Sequence, residues 1–512
     1  MPGMDEAYRA LETHFGYKEF RPGQKELIGA ILSGRDVVAV MPTGAGKSLC
    51  YQIPAAVTEG LTIVVSPLIS LMVDQVRSLK EAGIRGSYLN SSLNPRQQAI
   101  VLERALAGWY DLMYVAPERL QDPTFIAFAR KAKIPLVAVD EAHCISEWGQ
   151  DFRPAYRRIA DFAQMLPERP VMAGFTATAT AKVERDIVER LGLADPLVVH
   201  TGFDRPNLSF IVREATPAAR LSYMGRLLAQ HRRESGIIYC RTRKRTDEVA
   251  EALRREGWRC GSYHAGMAPD ERLFAQQAFV SDDMPIIVAT NAFGMGIDKP
   301  NVRFVINDGL PLTLEEYYQE AGRAGRDGEP ASCILLWSAG DIRLAHFLID
   351  QTERPDDLSE QEFQQRIQAR ERRLGAMIGY AQSTTCLRKR ILRYFGDAAE
   401  LPENCGSCSV CVPKLAELPA ARTSSFGRGG RSEASDGWEE GADDEELFPR
   451  LRALRKQLAD ERHIAPYMVF SDATLRAMVR RRPKTEEELL SISGVGQVKL
   501  ERYGEVFLHE LS

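Results

Sequence analysis

The stretch "DVVAVMPTGAGKSLCYQIPAAV" (36–57) constrains this chain more than any other. An apolar run, a glycine-rich loop and an apolar helical pattern follow one another without a gap. A backbone of that shape closes around phosphates. Gly44 and Gly46 let N–H groups turn inward, Lys47 reaches the β/γ oxygens, and the Ser48 hydroxyl ligates Mg²⁺. Thr43 and Ala45 complete the loop. Met41 stands where the strict pattern has glycine, and the strand–loop–helix context compensates. The competing reading is a chance glycine-rich turn.

A strand that feeds a helix in this way belongs to a parallel sheet, and its rhythm recurs. "TIVVS" (62–66), "DLMYV" (111–115), "LVAVD" (136–140) and "VMAGF" (171–175) read as further buried strands. After "DRPN" (204–207) a second set follows: "GIIYC", "PIIVAT", "RFVIN" and "SCILLW". Two successive α/β domains are expected, 1–204 and 205–340, with a hinge near 200–212. Residues 341–413 read as helical with a cysteine cluster. Residues 414–446 are rich in Gly, Ser and charge and are expected to form a disordered linker with an r.m.s. span of about 30 Å. The tail, 447–512, returns to helical spacing through Leu447, Leu451, Leu454 and Leu458.

"VDEAH" (139–143) ends an apolar strand, where a Mg²⁺-organising acid belongs. Asp140 is expected to hold the metal through water and Glu141 to polarise the attacking water, with His143 completing the catalytic group. The plainer alternative is a helix start with acidic capping residues. "YYQEAGRAGRDG" (317–328) carries Gln319, Arg323 and Arg326 between glycines. Arginines so placed neutralise γ-phosphate charge in a transition state. From the other domain, they make hydrolysis depend on domain closure. A solvated basic loop is the alternative. Together the motifs point to NTP hydrolysis and leave open what the energy does.

The ordered set resembles the RecQ family of superfamily 2 DNA helicases. "FGYKEFRPGQ" (15–24) is similar to the family's adenine-recognition motif. It implies Tyr17 stacking on the base, Gln24 hydrogen-bonding the adenine edge and Arg21 nearby. "SPLISLMVDQV", "FTATAT", "YHAGM" and "ATNAFGMGIDKPNVRFVI" match as well, and in the family these line the DNA channel or couple the domains. "CISEWGQDFRPAY" (144–156) resembles the family's aromatic-rich loop. Trp148, Phe152 and Arg153 combine stacking faces with a cation, as single-stranded DNA requires. Gln150 replaces the family's usual histidine and Ala45 a usual glycine.

Cys386, in "TTCLRKRILRYFG", with Cys405, Cys408 and Cys411 of "ENCGSCSVC" makes a four-thiolate set of the structural Zn²⁺ type, as the family carries. In many members a winged-helix domain follows the zinc module, and here the linker begins almost at once. The tail resembles the HRDC domain. Its "ISGVGQVKLERYG" (492–504) resembles a helix–hairpin–helix turn, with Lys499 and Arg502 as candidate DNA contacts. The alternative is a tight turn that packs two helices of the bundle.

The expected fold class is therefore α/β. It comprises two tandem RecA-like parallel-sheet domains, a helical zinc-binding subdomain and a small C-terminal all-α HRDC-like bundle. The resemblance implies an ATP- and Mg²⁺-dependent DNA helicase moving 3′-to-5′ on single-stranded and branched DNA. Its implied settings are repair, recombination, replication and the SOS response. A single-strand-binding protein or other repair factors are candidate partners. The rivals are a DNA-stimulated ATPase that remodels or anneals strands with weak unwinding, and an ATP-switched DNA-binding scaffold. An RNA helicase is disfavoured by the aromatic loop and the zinc module.

Net charge of −4 and a pI near 6.2 do not announce a nucleic-acid protein. DNA would be held by local patches such as "RTRKR" (241–245), "RERR" (370–373), "RKR" (388–390) and "RRR" (480–482). No apolar run reaches the ~18–20 residues of a membrane span, and the N-terminus does not read as a signal peptide. A cytoplasmic, nucleoid-associated location with no membrane partner is expected.

Overall fold

A computed structural model describes residues 2–67, 69–146, 153–232, 234–294, 299–352, 354, 359–397, 403–417 and 442–511. The first domain holds strands β1 (Val37–Val40), β2 (Thr62–Val65), β3 (Gly86–Leu89), β4 (Leu112–Val115), β5 (Leu136–Val139), β6 (Val171–Thr176) and β7 (Leu197–His200). They form one parallel sheet in the order β3-β4-β2-β5-β6-β1-β7. β1, β2, β4 and β5 are buried at every position, which is why they read as unbroken apolar runs.

β5, β6 and β1 are adjacent, so their carboxyl ends lie side by side. That adjacency brings the phosphate loop, Asp140 and Thr176 to one edge. Ligands in open α/β sheets collect at this end of the strands.

The second domain holds β8 (Leu208–Glu214), β9 (Ser235–Cys240), β10 (Cys260–Tyr263), β11 (Ile286–Ala289), β12 (Val302–Asp308) and β13 (Ala331–Trp337). Its parallel sheet runs β10-β11-β9-β12-β13-β8. The two tandem parallel-sheet domains expected from the sequence are thus observed.

Helices Ala339–Asp350, Glu360–Ala381 and Leu387–Tyr394 lead into the cysteine cluster. The segment from the last of these helices also braces the hinge. The Phe395 ring stacks on Phe203 at 4.7 Å, and the Asp397 carboxylate accepts the Phe203 N–H at 2.7 Å. The cysteine loop lies along β8, the outer strand of the second sheet. Phe210 N–H donates to the Ser407 carbonyl at 3.0 Å, and Ser409 N–H donates back to the Phe210 carbonyl at 2.9 Å. The loop acts as a short extra strand that covers an otherwise open edge.

The tail is a bundle of five helices among the described residues, packed around Leu451, Phe470, Leu475, Leu489 and Phe507. Its first helix, Ala442–Glu461, begins inside the stretch that the sequence assigned to the linker. Residues 418–441 lie outside the described residues. No helix among those described is long and apolar enough to cross a membrane.

The tail docks on both motor domains. Gly494 N–H donates to the Gly16 carbonyl at 3.2 Å, where the first helix, Met4–Phe15, ends in a left-handed cap. A Cβ at Gly16 would sit 2.4 Å from the Val495 carbonyl carbon, so only glycine permits this approach. Glu81, on the first domain, accepts from Arg502 at 3.0 Å and from the Tyr503 hydroxyl at 2.8 Å, with Arg462 at 3.5 Å. On the second domain, Asp283 pairs with Lys456 at 2.9 Å, and Asp282 faces Lys299, Arg452 and Arg455. Burial pushes the Asp282 carboxyl up, but Lys299 and then the two tail arginines outweigh it and hold it at about 2.

Candidate nucleotide site and zinc centre

A cleft of about 800 Å³ opens between the two sheets. The first domain contributes Tyr17, Arg21, Gln24, Thr43, Gly44, Gly46, Lys47, Ser48, Asp140, Glu141 and His143 to its lining. The second contributes Gln319, Arg323 and Arg326, and the tail contributes Lys499. Residues from five separate sequence motifs therefore line one cleft.

Gly44 and Gly46 take left-handed backbone angles, φ 84° and 82°, which turn the loop on itself. Lys47 Nζ donates to the Met41 carbonyl at 3.0 Å, folding its ammonium back across the loop. The Gln24 amide braces the same loop. Its Nε2 donates to the carbonyls of Ala45 at 3.2 Å and Gly46 at 3.1 Å, while its Oε1 accepts the Arg21 N–H at 2.9 Å. The adenine-edge bonds that the resemblance implies for Gln24 are thus made here to the protein. Arg21 donates to the Gly44 carbonyl at 2.6 Å. Tyr17 presents an exposed ring at the cleft.

Glu141 sits at φ 48°, ψ 46°, a left-handed conformation that costs a non-glycine residue of order 1 kcal/mol or more. Asp140 Oδ1 accepts the Glu141 N–H at 3.0 Å. His143 Nδ1 lies 3.3 Å from Glu141 Oε2 and 3.0 Å from the Thr176 hydroxyl. The acidic motif is thereby linked to "FTATAT", one strand away. Nothing in the sequence signalled the strain at Glu141.

The loop carrying Arg323 and Arg326 lies directly on the phosphate loop. The Thr43 hydroxyl donates to the Gly322 carbonyl at 3.0 Å. A Cβ on Gly44 would stand 3.3 Å from Arg326 Cα, and one on Gly322 would clash with Thr43 Oγ1 at 2.3 Å. Arg323 is buried beside Tyr239, and burial lowers its affinity for a proton. Behind it, burial and then the Glu316 carboxylate push Glu320 up to about 8, against Arg241 and Arg323. Glu320 was not singled out in the sequence, and Arg241 was read only as part of the "RTRKR" patch, whereas here it pairs with Glu316 at 2.8 Å. Each is one more charge in a charged stretch until the fold buries it.

Trp148 and Phe152 lie outside the described residues. Arg153 is described, and its guanidinium donates to the Pro67 carbonyl at 3.0 Å. It ties the base of the aromatic loop to "SPLISLMVDQV". Lys499 and Arg502 sit in the docked face of the tail. Lys499 Nζ is 5.7 Å from the Phe470 ring centroid, and burial pulls it down to about 8 despite Glu81. Arg502 remains exposed but is tied to Glu81, so its guanidinium is already engaged in this arrangement.

The thiols of Cys386, Cys405, Cys408 and Cys411 all lie within 4.8 Å of one another. Four thiolates at the ~2.3 Å Zn–S distance stand about 3.8 Å apart around a tetrahedral ion, so the donor set and spacing fit zinc. All four protein positions are filled by sulfur, which makes the centre structural. Burial pushes the Cys405 thiol up, but the Ser407 N–H and hydroxyl and the neighbouring thiols bring it down to about 7.

Family models match the chain in order. They are a DEAD/DEAH box helicase over residues 21–187, a helicase conserved C-terminal domain over 219–328, a RecQ zinc-binding region over 339–412 and an HRDC domain over 444–511. The ATP-dependent DNA helicase RecQ of Bacillus subtilis (strain 168) is 38% identical over 592 residues, covering 99% of this chain and 98% of that protein. Its namesake from Haemophilus influenzae is 36% identical over 604 residues, with 98% and 95% covered. Aligned lengths near 600 against a chain of 512 residues mean that these relatives carry stretches this chain lacks. Among solved structures, the DUF1998 helicase MrfA bound to DNA superposes with a TM-score of 0.54 at 19% identity, over 66% of this chain and 52% of that one. Mss116p bound to ssRNA and AMP-PNP gives 0.56 at 18%, over 76% and 88%. These two likenesses are of fold.

Proposed function

The chain belongs to the RecQ family of ATP-dependent DNA helicases, and on that premise we propose how its residues divide the work. Lys47 and Ser48 hold the β/γ-phosphates and Mg²⁺. Asp140 holds the Mg²⁺ through water, and Glu141 polarises the attacking water. Arg326, seconded by Arg323 and Gln319, neutralises charge on the transferred phosphoryl group from the opposite domain. Tyr17 stacks on adenine. Closure of the domains on ATP and their reopening after hydrolysis advance single-stranded DNA, 3′-to-5′, in repair and recombination. The observation that carries this reading is the contact between the two loops, where Gly322 meets Thr43 and Arg326 meets Gly44. A charged phosphate between them would be touched from both domains at once.

ATPase and strand-separation assays on forked DNA, overhang DNA and RNA test it, with Lys47→Ala as the blank. Separation of forked DNA that depends on ATP, Mg²⁺ and Lys47 is expected. ATPase without separation would favour a remodelling or annealing enzyme. The second reading has one observation behind it: the longer relatives carry stretches missing here.

We assign Trp148, Phe152 and Arg153 to the sensing of DNA. Phe152→Ala is expected to lower DNA-stimulated ATPase about 5- to 150-fold, the loss of one stacked base at ~1–3 kcal/mol, while basal ATPase stays near wild type. Equal loss of both rates would dismiss the assignment.

For Lys499 and Arg502 to meet DNA, the tail must leave Glu81. Glu81→Ala removes charged hydrogen bonds worth about 1.5–3 kcal/mol and should loosen the docked tail. Limited proteolysis should release the tail faster, and affinity for single-stranded DNA should rise as its cations are freed. Unchanged release and unchanged affinity would show that this socket does not hold the tail.

A further inference from the structure

The hinge between the domains carries a half-buried arginine that no motif singled out. Arg205 points its guanidinium at the seam between the phosphate loop and the arginine loop. One terminal nitrogen donates to the Thr43 carbonyl at 2.6 Å and approaches the Gly322 carbonyl at 3.4 Å. The other donates to the carbonyls of Ala324 at 3.0 Å and Gly325 at 2.8 Å. Gly322 precedes Arg323, and Ala324 and Gly325 separate Arg323 from Arg326. One planar fork therefore joins the first domain's phosphate loop to the backbone on either side of Arg323.

The residue is held from behind with equal care. Arg388, buried in the zinc-binding subdomain, donates to the Arg205 carbonyl at 2.9 Å, the Leu208 carbonyl at 2.6 Å and the Ser407 hydroxyl at 2.8 Å. It also pairs with Asp204 at 2.5 Å. Two residues on, Asn207 Nδ2 donates to the Gly325 carbonyl at 2.9 Å and the Glu329 carbonyl at 2.8 Å. A continuous set of hydrogen bonds thus runs from Ser407, beside the zinc ligands, through the hinge to both loops of the nucleotide cleft.

The chemistry asks for arginine. Donating to several carbonyls on two domains needs a rigid planar fork, which an ammonium on a flexible stem does not supply. The placement is also electrostatically costly. Burial pulls the guanidinium below its ordinary value, and the nearby Arg326 and Arg21 add to the pull. The repulsion of a cation kept beside two others is offset by a polyanion placed between them. Closure on a triphosphate and correct placement of the arginines are then the same event.

We propose that Arg205 is a positioning residue for ATP hydrolysis, tying the phosphate loop to the backbone around Arg323 and Arg326 so that Arg326 reaches the transferred phosphoryl group. The proposal rests on the reading of Arg326 as the transition-state arginine, and its test separates the two. DNA-saturated ATPase of the full-length, zinc-loaded chain is measured for Arg205→Ala, Arg205→Lys and Arg326→Ala. Affinities for ADP and for ADP–aluminium fluoride, a mimic of the transition state, are measured alongside, with melting temperatures.

Arg205→Ala is expected to lower kcat about a hundredfold, as a misplacement of about 1 Å would, with KM for ATP within about threefold of wild type. It should weaken ADP–aluminium fluoride by a similar factor and leave ADP binding and melting temperature unchanged. Arg205→Lys should restore less than a tenth of the lost rate. If Arg326→Ala loses activity while Arg205→Ala keeps kcat within about threefold, the proposal falls and the reading of Arg326 stands. Intact kcat in Arg326→Ala overturns that reading and the proposal with it. Parallel loss of ADP affinity, melting temperature and kcat in Arg205→Ala would make the residue a structural clamp only, which also overturns the proposal.

Discussion

Arg326→Ala is expected to bind ATP as wild type does and to turn it over at least a thousandfold more slowly. Arginines supplied to a phosphoryl-transfer site from another domain contribute factors of about 10³–10⁵ to kcat. Their charge meets charge that develops only in the transition state, so removing them spares binding. The setting here favours an effect of that size. The arginine loop is docked against Gly44, with its own Gly322 under Thr43, so the side chain starts from a fixed point. Arg326→Lys should not rescue, because a flexible ammonium lacks the two-pronged fit to phosphate oxygens. Rapid-quench ATPase with fluorescent-nucleotide titration checks both halves. A variant that keeps its turnover, or that loses nucleotide binding in proportion, would remove Arg326 from the reaction.

The second large effect concerns the metal. Cys408→Ser, or stripping by a strong chelator, is expected to destabilise the zinc-binding subdomain by more than about 4 kcal/mol, because the free energy of binding a structural zinc is folding free energy. Cys408 is buried, and the loop around it is what covers β8. The loss should therefore have an address. Amide exchange should rise at Phe210 and Val212, whose N–H groups donate to the Ser407 carbonyl and the Ser409 hydroxyl. Amides in the middle of the sheet, such as those of β9, should stay protected at first. Retained protection at Phe210 and Val212 in metal-free protein would show that the loop holds its place without the ion.

Nine strands were legible in the sequence and four were not. The four are β3, β7, β8 and β10, which are the outer strands of the two sheets. An inner parallel strand is covered on both faces and on both sides, so it reads as an apolar run. An outer strand is relieved of that demand. "GSYL" and "CGSY" carry small and polar residues, and "LSFIVRE" is only partly buried and ends in two charges. Periodicity alone does not separate such segments from loops.

The site divides in a similar way. The phosphate loop, "DEAH" and the arginine loop were legible because their chemistry fixes residue types at close spacing. The four cysteines predicted by spacing and resemblance converge in space. What could not be read are the residues whose role comes from long-range packing. Arg205 and Arg388 lie 183 positions apart and meet only once the zinc subdomain folds behind the hinge. The turn around Gly494 was read as a DNA contact or as a joint between two helices of the tail. It packs on Gly16 as well, a contact between opposite ends of the chain that carries no local signature.

The cover on β8 has a consequence for how the protein is made. Val212 and Ser409 are 197 residues apart, so at ~5–20 residues per second the ribosome needs roughly 10–40 s between them. Throughout that interval the second domain has a strand awaiting its outer neighbour, and for the first part it lacks β13 as well. The last cysteines are thus the final stitch of a domain begun two hundred residues earlier. A nascent chain short of zinc would leave the ribosome with that hem open to other strands.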